Sequence, residues 1–169
     1  KLVGEMRLGV VADVETVLRE RPDAVVVATG SIPRERPIPG DYSAEQVVST
    51  QQVLTGAVRT GQRVLLIDLD GHHQSTSTAE HLADQGKTVH ILTSALFVGG
   101  SLGPLQDLFL SRQRLARKGV TFTPDIAVLS IEGTVAKGLN VYSNEMMDFA
   151  GYDTIVLAAG NVARDSLYF

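Results

Sequence analysis

One stretch, RVLLIDLDGHHQSTSTAEHLADQGKTVHILTS at residues 63–94, constrains the fold more than any other part of the chain. Its apolar, partly β-branched run at 64–67 gives way to small and polar residues, then to Ala79, Leu82 and Ala83 at helical spacing, then to a second β-rich run at 89–92. The order is strand, turn, helix, strand. Gly86 stands where a helix commonly ends on a residue free to take positive φ, and Lys87 leads back toward the sheet. This is the length and order of a βαβ crossover, which predicts that 64–68 and 88–92 are parallel neighbours with the helix on one face. In such a unit the helix N-terminus offers unpaired N–H groups and a positive dipole end, so a phosphate is the expected guest.

The turn departs from the usual dinucleotide fingerprint, which spaces three glycines so that the turn is tight and the backbone can approach a pyrophosphate. Counted back from Ala79 and Leu82, those positions fall at Asp70, His72 and Ser75, in a loop longer than usual whose one glycine is Gly71. Ser75 is small enough for close packing, whereas Asp70 sets a carboxylate where a phosphate should lie. At the end of the second strand, Thr93 and Ser94 stand where an acidic residue would hold a ribose hydroxyl. The candidate nucleotide contacts here are Asp70, Gly71, His72, Ser75, Thr76, Thr93 and Ser94. A competing use of 75–78 is helix capping, because Ser77-Thr78-Ala79-Glu80 fits a capping box and would start the helix late.

Upstream, 8–12 is expected to be a strand and 13–21 a helix burying Val14, Val17 and Leu18, closed by Pro22. DAVVVATGSIPR at 23–34 follows as a buried strand ending in Thr29-Gly30. Near the other end, DTIVLAAGNVAR at 153–164 repeats the pattern of Asp, apolar run, Ala, Gly two residues later and a final Arg. The repeat brackets the βαβ element and implies two related sheets, one ending near Gly40 and a complete one between the copies. Thr29-Gly30 and Ala159-Gly160 are then turns that bring backbone close to a ligand or a neighbouring domain. Pro33, Pro37, Pro39 and Gly40 make a stiff link, and 51–54 a helical turn. Pro104 opens a helix to Lys118, with Leu105, Leu108, Phe109, Leu115 and Ala116 inward and Gly119 as its stop. Arg112, Arg114, Arg117 and Lys118 complement the C-terminal dipole of that helix. Strands at 120–123, 126–131 and 139–142, turned at Gly133 and Gly138, form a small antiparallel meander crossing the sheet. The fold class is α/β: a Rossmann-like three-layer dinucleotide-binding domain with a parallel sheet and that crossover meander.

Composition excludes several partners. A formal charge of −4 and no basic stripe argue against nucleic acid and anionic membranes, and no apolar run approaches the ~20 residues that span a bilayer. The absence of Cys removes disulfides, zinc thiolates, a redox dithiol and iron–sulfur ligands. A cytoplasmic location is the default, and an opening on Lys1 without a leader pattern suggests a piece of a longer polypeptide.

PDAVVVATGSIPR with the IPG that follows, GQRVLLIDLDG, STAEHLADQGKTVHILT and DTIVLAAG together resemble the C-terminal region of the NADH:flavin oxidoreductases related to old yellow enzyme, the group of 2,4-dienoyl-CoA reductase and trimethylamine dehydrogenase. The resemblance covers nearly the whole chain. It implies a parent whose N-terminal barrel carries FMN and whose Cys-rich segment carries an iron–sulfur cluster. Two Rossmann-like domains would follow, the first for FAD or ADP and the second for NAD(P)H. On this scheme 1–56 is the C-terminal part of the FAD-type domain, 57–150 the NAD(P)-type domain and 151–169 the return strand to the first. The glycine-poor turn resembles the trimethylamine dehydrogenase branch, in which the second domain need not hold nicotinamide.

The implied partners are a dinucleotide and the FMN barrel of the same polypeptide, with homo-oligomerisation left open. The implied role is that of a nucleotide-binding-type region of a dienoyl-CoA reductase-like or amine dehydrogenase-like flavoenzyme. No catalytic residue, metal ligand or tightly bound cofactor is expected on this stretch. Two rival readings remain. One is an interdomain scaffold that binds no nucleotide. The other is a haloacid-dehalogenase-type phosphatase with Asp68 as nucleophile and Asp70 as general acid beside Mg²⁺. His72-His73 as metal ligands is weighed against plain loop surface.

Overall fold

The computed structural model describes residues 4–35, 37–105 and 107–168. In chain order the helices are α1 (Val14–Arg19), α2 (Thr50–Leu54), α3 (His73–Asp84) and α4 (Leu108–Arg117). The strands are β1 (Ser31–Pro33), β2 (Gly40–Asp41), β3 (Val47–Ser49), β4 (Arg63–Asp68), β5 (Thr88–Thr93), β6 (Thr121–Thr123), β7 (Ile126–Glu132), β8 (Val135–Asn140), β9 (Met146–Phe149), β10 (Thr154–Ala158) and β11 (Asn161–Ala163). The chain divides into two compact units, Pro33–Asn161 and a smaller one of Lys1–Ile32 with Val162–Phe169.

The larger unit is built on a five-stranded parallel sheet in the order β3-β10-β4-β5-β6. As expected, β4 and β5 are parallel neighbours, with Leu65 opposite His90 and Leu66 opposite Ile91. Strand alternation then sorts the side chains into two cores. Val64, Leu66, Val89, Ile91, Val156 and Ala158 meet Ala79 and Leu82 of α3, Leu115 of α4 and Val53 of α2. Leu65, Ile67, Leu92, Ile155 and Leu157 face the other way, onto Ile126 and Ile131 of β7 and Ala136 of β8, which with β9 form an antiparallel meander. Helices, parallel sheet and meander thus form three layers, and near-continuous apolar strands are what a sheet covered on both faces requires.

Local chemistry sets the ends of these elements. Ser49 and Gln52 form a reciprocal capping box at α2, with the Ser49 amide donating to Gln52 Oε1 at 2.8 Å. Gly86 ends α3 at φ +78°, its amide donating to Ala83 O and that of Lys87 to Leu82 O. The anticipated Ser77–Glu80 box does not form, because α3 already starts at His73, with His72 as an N-cap that makes no side-chain bond.

Several expectations are corrected. Residues 121–123 do not join the meander; they pair with β5 as the edge of the parallel sheet, which the α4 crossover makes accessible. The meander's third strand is Met146–Phe149, and Tyr142 lies in the turn before it. Gly138 is no turn but an interior position of β8 where Ile126 and Phe149 close in. A 3₁₀ helix spans Gly100–Leu105 and α4 begins only at Leu108, so Phe109 and Ala116 are exposed. The predicted inward side chain of Leu105 lies outside those described. Val47 and Val48 of β3 and residues 155–158 of β10 are buried in the larger unit's two cores.

In the smaller unit, Asp13 caps α1 by accepting from the Thr16 amide at 2.8 Å. The runs 8–12 and 23–28 form no strand, and Val14 and Leu18 are exposed. Val26 is 90% exposed. A β-rich run adopts a strand only with a ladder partner and a covering layer, and among the described residues no strand is assigned beside 23–28. The copies of the repeat nevertheless end alike. Gly30 and Gly160 have φ of +73° and +68°. The Arg164 amide donates to Gly30 O at 3.0 Å within the smaller unit, and the Arg34 amide to Gly160 O at 3.2 Å within the larger.

Candidate functional site

The carboxyl ends of β4, β5 and β10, where a doubly wound sheet receives its ligand, meet the turn 69–72, the start of α3 and the loop 94–101. Asp68 closes β4 and is 2% exposed. Its Oδ1 accepts from the Gly71 amide at 2.8 Å and the Asp70 amide at 3.3 Å. Burial pushes the Asp68 carboxyl above its ordinary range, while the Gly71 amide, the Ser75 hydroxyl and the Gly99 amide work in the opposite direction. Oδ2 has no partner of hydrogen-bond geometry among the described residues.

The loop after β5 lies directly on this turn. The Ser101 amide donates to Gly71 O at 3.1 Å and the Ser101 hydroxyl to Asp70 O at 3.3 Å. Gly71 has φ +70° and Gly99 +78°, and both approach neighbours closely. A Cβ on Gly71 would stand 3.0 Å from Ser101 Oγ. Ser75 is fully buried and donates to His72 O at 3.0 Å, and the buried Thr76 hydroxyl has no partner among the described residues.

No family model matches the chain. Along its whole length it is 33% identical to N,N-dimethylglycine/sarcosine dehydrogenase of Chromohalobacter salexigens, of which it covers 25%. Over 97% of its length it is 32% identical to cinnamate reductase of Clostridium sporogenes, covering 24% of that protein. Histamine dehydrogenase from Rhizobium sp. 4-9 has the same fold over 93% of the chain, with a TM-score of 0.82 at 23% identity, across 26% of that structure. The chain fits the C-terminal region of the flavoenzymes related to old yellow enzyme and trimethylamine dehydrogenase. It spans about a quarter of the length of these curated flavoenzyme relatives.

Within this flavoenzyme region the expected site residues divide between the units. Asp70, Gly71, His72, Ser75, Thr76, Thr93, Ser94, Ala159 and Gly160 lie in the larger one, and Thr29 and Gly30 in the smaller. Asp70 and Gly71 are drawn together under Ser101, and the Asp70 carboxylate lies along the backbone of Gly160, 3.1 Å from where a Cβ would stand. Thr93 is buried and accepts from the Ala95 amide, whereas Ser94 and His72 are exposed. Thr29 donates its hydroxyl to Arg164 O.

The residues at the turn do not fit a dinucleotide pyrophosphate, since two amides that would face it are given to Asp68 and the turn's carbonyls are bridged to Ser101. Asp68 and Ser101 are the residues that sequence reasoning missed in this role. An Asp followed by two amides it can accept from is an Asx-turn signal, and Gly99-Gly100-Ser101 announces a close backbone approach. The phosphatase reading fails on access, because a 2%-exposed Asp68 bonded to backbone amides cannot attack a phosphate ester. His73 faces Asp107, with Nε2 3.3 Å from Oδ2, and no group of three or more His, Asp or Glu disposed to hold a metal occurs among the described residues.

Proposed function

We propose that this chain supplies a flavin-dependent oxidoreductase with the closing segment of a FAD- or ADP-type domain and a complete second dinucleotide-type domain, and that it performs no redox turnover alone. The observation that carries the reading is the repeat, in which each copy ends at a positive-φ glycine whose carbonyl accepts from an arginine amide. The match along the whole chain to an amine-type dehydrogenase supports it further. In the parent, electrons would pass between an amine-type substrate or a nicotinamide nucleotide and FMN on the barrel, with an iron–sulfur cluster alongside. The partners would be that barrel and a dinucleotide, in the cytoplasm.

Hydride transfer requires an electron-carrying ring held against its donor, and the protein's share of that work is to orient both. The apolar run 23–28 is uncovered, which leaves Thr29-Gly30 as one edge of a flavin site. With no Cys in the chain, no dithiol relay replaces the flavin. The filled turn at Asp68 favours a structural role for the second domain within the same parent.

The test is direct. Purified chain should be colourless, and FAD with NADH should give no oxidation beyond the protein-free rate. A flavin that co-elutes stoichiometrically, or an NADH oxidation rate that scales with protein, would overturn the reading.

A further inference from the structure

The turn after β4 has the position and positive-φ glycine of a phosphate-binding turn, yet its polar groups are directed inward. Gly71 and Asp70 give their amides to Asp68 Oδ1, at 2.8 and 3.3 Å. From above, Ser101 bonds the carbonyls of the same two residues. Charge acts in the same direction. The Asp70 carboxylate lies against Gly160, and Asp107 pairs with His73 in the first turn of α3, so acidic groups flank the helix end that would otherwise attract an anion. A pyrophosphate arriving here would have to displace Asp68 from its amides. Displacement would leave the buried Asp68 carboxyl without those donors, which is costlier than leaving a solvated one.

We infer that Asp68 is a resident acceptor standing in for the pyrophosphate, and that Asp68 with Ser101 determines that this turn accepts no dinucleotide. The inference concerns the turn's occupancy and does not depend on the reaction of the parent enzyme. It differs from simple repulsion: an occupied turn stays closed to phosphate even when the occupant's charge is removed, provided its oxygen remains.

Amide NMR of the chain during titration with inorganic pyrophosphate and with NADH tests it. The Gly71 and Asp70 cross-peaks of the wild type should not move. In Asp68→Ala, whose side chain has no acceptor for the amides, both should shift saturably with pyrophosphate, about tenfold or more tighter than any wild-type response, the scale of one charge-assisted hydrogen bond. In Asp68→Asn, where an oxygen still faces the amides, they should stay put. Movement in the wild type would overturn the inference, as would binding by Asp68→Asn, which would mean charge alone excludes phosphate. A folded Asp68→Ala that remains silent would also overturn it. If Asp68→Ala does not fold, the wild type and Asp68→Asn still decide: silence in both supports occupancy and a shift in either ends it. Because the redox assay above reads the missing flavin and this titration reads the turn, failure of one is distinguishable from failure of the other.

Discussion

Gly71 and Ser101 are in contact through backbone and side chain at once: the Ser101 amide bonds Gly71 O at 3.1 Å, and a Cβ on Gly71 would stand 3.0 Å from Ser101 Oγ and 3.4 Å from Ser101 N. Gly71 also holds φ +70°, where an L side chain is strained. Gly71→Ala should therefore destabilise the chain by about 1–3 kcal/mol, from the left-handed conformation and the displaced loop together. Gly103→Ala, with no neighbour within 4 Å among the described residues and no positive φ, is the control and should change stability by less than about 0.5 kcal/mol. Urea midpoints of the two variants decide, and equal midpoints would refute the contact.

Gly138 sits inside β8, where a Cβ would come 2.5 Å from Ile126 Cγ2 and 3.1 Å from Phe149 Cε2. Ile126 is 2% exposed and cannot swing into solvent. Gly138→Ala should cost about 1–3 kcal/mol by overpacking the core between sheet and meander, with the loss appearing as a lower thermal midpoint. An unchanged midpoint would mean that the meander can lift away freely.

His90 projects from β5 to place Nδ1 2.6 Å from Thr121 Oγ1 and Nε2 2.9 Å from Thr123 Oγ1, and its ring stacks on Tyr152 at a centroid distance of 6.3 Å. Burial holds the His90 imidazole below its ordinary range. The unfolded chain therefore takes up this proton first as pH falls. The stability tied to neutral His90 is complete above the ordinary value of 6.5 and is lost as pH drops from there toward the lowered folded value. Thermal midpoints between about pH 7.5 and pH 5 should fall less steeply in His90→Gln than in the wild type. Identical slopes would remove His90 from the account.

Asp153 Oδ2 accepts from the amides of Gln62 and Arg63 at 2.9 and 2.8 Å, which clamps the start of β4 beside β10. The Arg63 amide, ahead of the guanidinium, holds this carboxyl below its ordinary range. The sign is the same as for His90, in a lower pH window: the contribution is present above the ordinary value and is lost as pH falls through the lowered one. Asp153→Asn should lower the urea midpoint at about pH 6 and narrow its gap to the wild type at about pH 3. A gap independent of pH would show that charge on Asp153 contributes nothing.

What the sequence determined by itself is everything that follows from period and punctuation. The apolar runs at 64–67, 89–92 and 154–158, the helical spacing of Ala79 and Leu82, and the glycine at 86 specified a parallel three-layer domain, because each records a local preference that the fold then satisfies. The repeated Asp-to-Arg segments announced two related closing turns in the same way.

Tertiary structure alone decided the rest. The run at 23–28 is apolar and β-rich like 154–158, yet one is exposed and the other buried between β3 and β4, since a strand exists only where a partner supplies its ladder. Residues 121–123 and 126–132 are equally β-rich, and only the α4 crossover assigns the first to the parallel sheet and the second to the meander. At the site, Asp70 drew attention by sequence position while Asp68 holds the amides. Which of two carboxylates two residues apart turns inward depends on where β4 ends and where Ser101 comes down, and that contact joins residues distant in the chain.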